Sequence, residues 1–281
     1  MTRETHAVHV RGLSKSYGRR QAVQELDLDV GFGEVVAILG PNGAGKSTTI
    51  EILEGHRRRD AGQVNVLGDD PATAGRTWRA RIGVVLQESS DFGMLTVLET
   101  VRMFAKCYGK ARGPEELLEL VGLQSTSASR VRTLSGGQRR RLDVALGIIA
   151  KPELLFLDEP TTGFDPEARR QFWDLIRLLA ADGTTIVLTT HYLEEAAALA
   201  DRVAVIADGR VAAVDSPARL TAHVNTAATV RWVEGGIPRF EETDHPTALI
   251  RQRSADGSEL AELTVTRPTL EDAYLQLIGH A

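Results

Sequence analysis

Apolar residues recur along this chain in two different rhythms. In the first third they form short β-type runs, at 7–11, 22–30, 34–39, 63–67 and 82–86, with Gly-rich punctuation between them. From 96 to 150 the spacing turns helical: Val97, Val101, Phe104 and Tyr108, then Leu117, Leu118 and Val121, then Leu142, Ala145 and Ile149. Beyond that, 154–157 and 185–189 are short and apolar throughout, as strands buried on both faces are, and 166–181 between them predicts a crossover helix. The pattern is that of an α/β core with a helical insertion.

The runs 203–206 and 210–214 flank Asp208-Gly209, a hairpin turn signal. We place a main domain at 1–220, ending just past Ser216-Pro217, with a helical subdomain at about 88–150. Residues 221–281 form a small appendage of weaker strand-like runs (228–233, 248–251, 262–265) closed by an amphipathic helix from Pro268. No internal repeat is visible.

Composition narrows the function. With 281 residues, 42% of them apolar, the chain can bury a sizeable core, and nothing in it suggests disorder. Its 33 basic and 38 acidic residues give a net charge of -5, which argues against nucleic acid as the main partner. Cys107 is the only cysteine, so neither an internal disulfide nor a cysteine zinc site can form, which fits a reducing compartment, and its apolar neighbours predict a packed helix residue. The first residues carry no apolar stretch of the secretory kind, and no window of about 20 residues is free of charge, so a membrane role would need a separate polypeptide. His6, His9, His56, His223, His245 and His280 lack the spacing and carboxylate context of a metal site, and Arg57-Arg58-Arg59 and Arg139-Arg140-Arg141 read as solvated charge runs.

The chemistry is concentrated in three motifs. Gly40-Pro41-Asn42-Gly43-Ala44-Gly45-Lys46-Ser47-Thr48 matches G-x-x-x-x-G-K-[ST] between an apolar strand and a helix start. Glycines let backbone N–H groups wrap phosphate oxygens, and the helix N-terminus adds positive potential. Lys46 is expected to reach the β and γ phosphates and Ser47 to ligate Mg²⁺. Leu154-Leu155-Phe156-Leu157-Asp158-Glu159 ends a buried strand in two acids: Asp158 is expected to hold Mg²⁺, and Glu159 to orient and polarise an attacking water. Between these motifs lies Leu134-Ser135-Gly136-Gly137-Gln138, where Ser135 offers a hydroxyl and Gly136 and Gly137 expose N–H groups ahead of a helix running on from Gln138.

Together these motifs resemble the ATP-binding cassette (ABC) subunits of transporters, over roughly residues 8–215. The resemblance implies a P-loop NTPase fold: a RecA-like α/β core, an antiparallel β subdomain and a helical signature subdomain, here with a small α+β C-terminal appendage. It implies ATP and Mg²⁺ as ligands. It also implies a homodimer closed through ATP, in which Ser135, Gly136, Gly137 and Gln138 of one copy cap the γ-phosphate held by the other. In that frame Gln87 resembles the glutamine that touches Mg²⁺ and the water, and His191 resembles the switch histidine that bonds the γ-phosphate and positions the glutamate. Tyr17 resembles the aromatic that stacks on adenine. Asp165, in Thr161-Thr162-Gly163-Phe164-Asp165-Pro166, resembles the aspartate that communicates across the dimer, with Phe164 where the family usually has Leu.

Several short runs are similar to separate-subunit drug and antibiotic exporters of the daunorubicin-resistance type: Gln87-Glu88-Ser89-Ser90, Thr190-His191-Tyr192-Leu193-Glu194-Glu195-Ala196 and Pro268-Thr269-Leu270-Glu271-Asp272-Ala273-Tyr274. Polysaccharide and lipid exporters share much of this pattern. The implied partner is an integral-membrane permease on another chain, and the implied location is the cytoplasmic face of the membrane. Two other classes stand beside this one. A soluble ABC ATPase of translation or DNA maintenance would usually carry paired cassettes or a long coiled-coil insertion, and a metabolic P-loop kinase would have no use for the Ser135 turn.

Overall fold

The computed structural model describes residues 6–86, 92–222, 227–254 and 259–279. They form two compact units, Met1–Val214 and Asp215–Ala281. The first unit opens with an antiparallel hairpin, β1 (His6–Tyr17) and β2 (Arg20–Gly31), followed by β3 (Val35–Leu39), α1 (Lys46–Leu53), β4 (Ala61–Val66), α2 (Arg76–Arg79) and β5 (Ile82–Val85). The helical stretch holds α3 (Val97–Ala105), α4 (Pro114–Leu120) and α5 (Gly136–Ile148). Then come β6 (Leu154–Asp158), α6 (Pro166–Ala181), β7 (Thr185–Thr189), α7 (Leu193–Leu199), β8 (Arg202–Ala207) and β9 (Arg210–Asp215).

The main sheet has six strands in the order β5-β6-β7-β3-β8-β9, and the four pairings from β5 to β8 are parallel. Every residue of β3 and β7 is buried, which is why these strands read as unbroken apolar runs. Parallel strands send all their carboxyl ends to one edge. The loop after β3, the acids ending β6 and the residues after β7 therefore meet there, Asp158 lying opposite Thr189 in the register. A three-stranded sheet, β2-β1-β4, shares one core with the main sheet: Val8, Val10, Leu26 and Val66 pack with Val36, Ile38, Phe156 and Val187. Trp78 on α2 is buried beside them and donates Nε1 to Val66 O at 2.8 Å, so its one polar atom is satisfied.

Local chemistry sets the helix starts. Thr96 and Glu99 form a reciprocal capping box on α3, Ser135 and Gln138 form one on α5, and Asp165 caps α6 ahead of Pro166. Each such cap stabilises its helix by about 1 kcal/mol. Asp208 (φ 46°) and Gly209 (φ 77°) both take the left-handed region between β8 and β9, as a tight hairpin turn requires.

The second unit comprises α8 (Pro217–Ala222), β10 (Ala228–Glu234), β11 (Ile237–Thr243), α9 (Pro246–Arg253), β12 (Ala261–Thr266) and α10 (Leu270–Gly279). Its antiparallel sheet runs β11-β10-β12, with Val230 and Trp232 packed against Leu249. The strand-like run expected at 248–251 is instead the middle of α9. Pro246 occupies the first turn, where its missing N–H costs nothing, and Leu249 is buried against the sheet with Ile250 packed beside it. Cys107 differs from its expectation too: it lies past the end of α3 and is exposed.

Candidate functional site

The loop after β3 closes tightly around its own lysine. Gly43 (φ 80°) and Gly45 (φ 103°) sit in the left-handed region, and a Cβ on Gly45 would lie 2.3 Å from Ala22 O. Lys46 is buried at the start of α1, where Nζ donates to Gly40 O at 2.7 Å and to Pro41 O at 3.2 Å. An ammonium has three protons, so one remains for a further acceptor. Burial pulls the Lys46 pKa below the usual lysine range, and the facing carboxylates of Glu159 and Asp158 oppose that shift. Pro41, Asn42, Gly43 and Ser47 are exposed, Ala44 and Gly45 buried, and Thr48 half-buried.

Across from Lys46, the end of β6 presents its two acids in different settings. Asp158 bonds the Thr189 hydroxyl through Oδ1. Glu159 has φ 43°, a left-handed conformation that costs a residue with a side chain about 1 kcal/mol or more. That twist is pinned by β7: the Glu159 N–H donates to Thr189 O and to Thr189 Oγ1, both at 3.1 Å. The carboxylate then meets the Thr162 hydroxyl at 3.3 Å and His191 Nδ1 at 3.4 Å. His191 is half-exposed and its ring lies against Tyr192, tilted by 40° at 4.1 Å between centroids, while the Arg169 guanidinium covers the Tyr192 ring at 4.5 Å. Behind this loop Glu195 is fully buried, which raises its pKa, and it accepts from Trp173 Nε1 at 3.3 Å.

Lys46, Asp158, Glu159 and His191 are thus gathered at one edge. Gln87 lies outside the described residues. Tyr17 is 41% exposed, a surface ring rather than a core one, with its hydroxyl 3.5 Å from Thr48 Oγ1 and the Arg57 guanidinium 5.2 Å from its centroid. Ser135 and Gln138 cap each other: Ser135 N donates to Gln138 Oε1 at 3.0 Å and Gln138 N to Ser135 Oγ at 3.2 Å. Ser135 and Gly136 are exposed and Gly137 is half-buried. Among the described residues no hydrogen bond ties this turn to the loop around Lys46. Asp165 Oδ1 is engaged by Ala168 N at 2.8 Å, and Phe164 packs edge-on against Phe172 at 5.7 Å.

Two readings of single residues change. Arg140 is not on a solvated face: it is 7% exposed, and its guanidinium donates to the main-chain oxygens of Pro160 at 3.0 Å, Asp158 at 2.7 Å and Leu86. Its burial lowers its pKa, against the favourable charges of Asp143 and Asp158. His6 and His9 do acquire a carboxylate, since strand pairing brings Asp29 within 4.8 Å of both rings. Asp29 already accepts from Arg11 at 2.9 and 2.6 Å and lies 2.7 Å from His9 Nδ1. This cluster is a cross-strand ion network between β1 and β2.

The donors present suit Mg²⁺, because the Ser47 hydroxyl and the Asp158 carboxylate are hard oxygen ligands beside a phosphate-binding loop. They also suit a polyphosphate, whose charge would complement the buried ammonium of Lys46.

A family profile described as ABC transporter matches residues 23–162. The daunorubicin/doxorubicin resistance ATP-binding protein DrrA of Streptomyces peucetius is 39% identical over 312 aligned residues, covering 99% of this chain and 94% of that protein. Nod factor export ATP-binding protein I of Rhizobium sp. (strain N33) is 38% identical and is covered over 97% of each chain. Among solved structures, an ATP-binding subunit of an ABC transporter superposes with a TM-score of 0.72 at 24% identity, covering 96% of this chain and 99% of that one. A dimeric ATP-binding cassette in a post-hydrolysis state, bound to ADP and Pi, superposes with a TM-score of 0.67 at 26% identity, covering 74% of this chain and 98% of the other.

Proposed function

This chain belongs to the ABC transporter family, as an ATP-binding subunit that hydrolyses ATP, and from that membership we propose that it drives a separate membrane permease exporting a drug, an antibiotic or a lipid-like molecule. The cargo class rests on the relatives, named for daunorubicin/doxorubicin resistance and for Nod factor export. No helix among the described residues is long and apolar enough to cross a membrane. A permease partner would hold the subunit at the cytoplasmic membrane face.

The observation that carries the mechanism is the pairing of Glu159 with His191 at 3.4 Å, across the strand ends from Lys46. In this reading Lys46 and the N–H groups of residues 40–48 hold the β and γ phosphates, and the Tyr17 ring stacks on adenine. Ser47 and Asp158, with Gln87, hold Mg²⁺, which supplies charge neutralisation on the phosphates. Glu159, fixed by its two bonds to Thr189, orients the attacking water and accepts its proton. His191 steadies that carboxylate and reaches the γ-phosphate.

The second half of the site comes from another copy. A Cβ on Gly136 would meet no atom of this chain within 4 Å, so packing within the chain does not require glycine there. Close approach of a phosphate held by a second copy does. Asp165 stands at the same seam. Because ATP then contacts both copies, it favours the closed dimer, and hydrolysis removes that differential affinity. The test is the Glu159→Gln variant, sized with and without ATP and Mg²⁺. It should bind ATP, lose most turnover and elute as a dimer with ATP alone; a variant that stays monomeric with ATP bound would overturn the shared site.

A further inference from the structure

His191 stands between β7 and α7 with its side chain 43% exposed, and its Nδ1 lies 3.4 Å from Glu159 Oε2. A half-exposed imidazole on a loop has several rotamers open to it, and holding the one that meets the carboxylate costs conformational entropy. A second contact narrows that choice: the Tyr192 ring lies against the imidazole, 4.1 Å between centroids and tilted by 40°. A half-buried ring next in sequence could itself swing away. Here it is fixed twice, because the Tyr192 N–H donates to Thr190 Oγ1 at 3.0 Å and the Arg169 guanidinium covers the ring at 4.5 Å from its centroid.

Arg169 comes from a different element, the first turn of α6, where its N–H donates to Asp165 O at 3.0 Å. Its side chain is half-buried, and Nε is buried with no hydrogen-bond partner among the described residues. A buried donor left in that state lowers stability. Two groups offset the loss. The face of the Tyr192 ring attracts the cation, by about 0.5–2 kcal/mol. Glu195, fully buried behind the loop with Oε1 accepting from Trp173 Nε1 at 3.3 Å, attracts its charge. A guanidinium is planar and can lie flat on a ring, whereas a lysine ammonium is a point charge that sets no plane. An unbroken line of contacts therefore runs from α6 through Arg169 and Tyr192 to His191 and Glu159.

We propose that Arg169 and Tyr192 are positioning residues for ATP hydrolysis: the guanidinium pins the Tyr192 ring, and the pinned ring holds the His191 imidazole on Glu159. The proposal rests on the reading of His191 as the group that steadies the Glu159 carboxylate and reaches the γ-phosphate. It adds what keeps that histidine in place in this chain. Neither side chain touches ATP in this arrangement, so losing one slows turnover and leaves nucleotide binding alone. Misplacing a reacting group by about 1 Å can cost about a hundredfold, and a ring that is loosened rather than removed should cost about tenfold.

The test combines steady-state ATPase kinetics of the full-length chain with NMR of the His191 Cε1–H signal in protein carrying isotope-labelled histidine, the signal being identified by its loss in His191→Ala. Arg169→Gln and Tyr192→Leu should each lower kcat about tenfold, keep KM for ATP within about twofold, and move the His191 signal while those of the other histidines stay. Tyr192→Phe keeps the ring and should match the wild type in both readouts. Arg169→Gln combined with Tyr192→Leu should cost no more than either alone, because both break one line of contacts. An unchanged kcat in Arg169→Gln, a loss carried by KM, a His191 signal that does not move, or a Tyr192→Phe variant as slow as Tyr192→Leu overturns the proposal. If Arg169→Gln fails to fold, the two Tyr192 variants decide. The underlying reading is separated by His191→Ala: unchanged turnover there overturns the role of His191 and the proposal with it. A large loss in His191→Ala beside full turnover in Arg169→Gln overturns the proposal alone.

Discussion

Arg140 donates Nη2 to the main-chain oxygen of Asp158 at 2.7 Å, tying the helix that presents the Ser135 turn to the strand end that carries Asp158 and Glu159. The same guanidinium reaches Pro160 O and Leu86 O, so one buried side chain sets where α5 stands relative to β5 and β6. Arg140→Leu keeps much of the side-chain bulk and leaves these carbonyl oxygens without their donor. It should lower the stability of the chain by about 3 kcal/mol in urea unfolding. A variant as stable as the wild type would mean that water replaces the guanidinium there.

Gly136→Ala separates folding from assembly. The added methyl would touch nothing within 4 Å in this chain and would sit at the first position of α5, so the melting temperature should hold or rise slightly. ATPase activity should fall about tenfold or more, because the methyl would intrude on the phosphate held by the second copy. Steady-state phosphate release and differential scanning fluorimetry measured on one preparation give both readings. Unchanged activity would show that this turn does not cap a phosphate.

Lys46→Ala acts one step earlier. Removing the buried ammonium takes away the cation that the β and γ phosphates would meet, so ATP affinity should drop by about a hundredfold or more in calorimetric titration, and turnover with it. Equal ATP affinity would remove Lys46 from the site.

How much of this was legible in the sequence depended on how local the cause was. The helix expected at 166–181 coincides with α6 because its cap, Asp165, its first-turn Pro166 and its apolar stripe are all contiguous. The β-rich first third, the helical stretch and the parallel core follow in the same way from runs of neighbouring residues. What stayed hidden depends on partners far away in the chain. Arg140 looked like part of a solvated run, since its acceptors at residues 86, 158 and 160 meet only once β5 and β6 pair. His9 and Asp29 likewise meet only through the pairing of β1 with β2. At 248–251 the apolar run Ala248-Leu249-Ile250 imitates a strand, and the determinant is the Pro246 start just upstream. Glu54, which ends α1, gave no sequence signal at all: it is 5% exposed with its Oε2 unbonded among the described residues, because the walls around it, Phe104, Tyr108 and Leu146, come from distant parts of the chain.

Those walls give Glu54 a pH signature of its own. Its folded pKa is raised to about 8, chiefly by burial, above the 4.5 of an ordinary glutamate. The folded chain therefore holds a proton that the unfolded chain releases, and stability from this group is fully present below pH 4.5 and is lost as pH rises through about 8. Glu54→Gln is neutral at every pH and cannot lose it. The difference in unfolding free energy between variant and wild type should therefore grow with pH across that window, by at most about 1.4 kcal/mol per pH unit, in favour of the glutamine. Urea unfolding of both proteins at a series of pH values measures it. A difference that stays flat from pH 5 to pH 8.5 would mean that Glu54 is ionised and solvated.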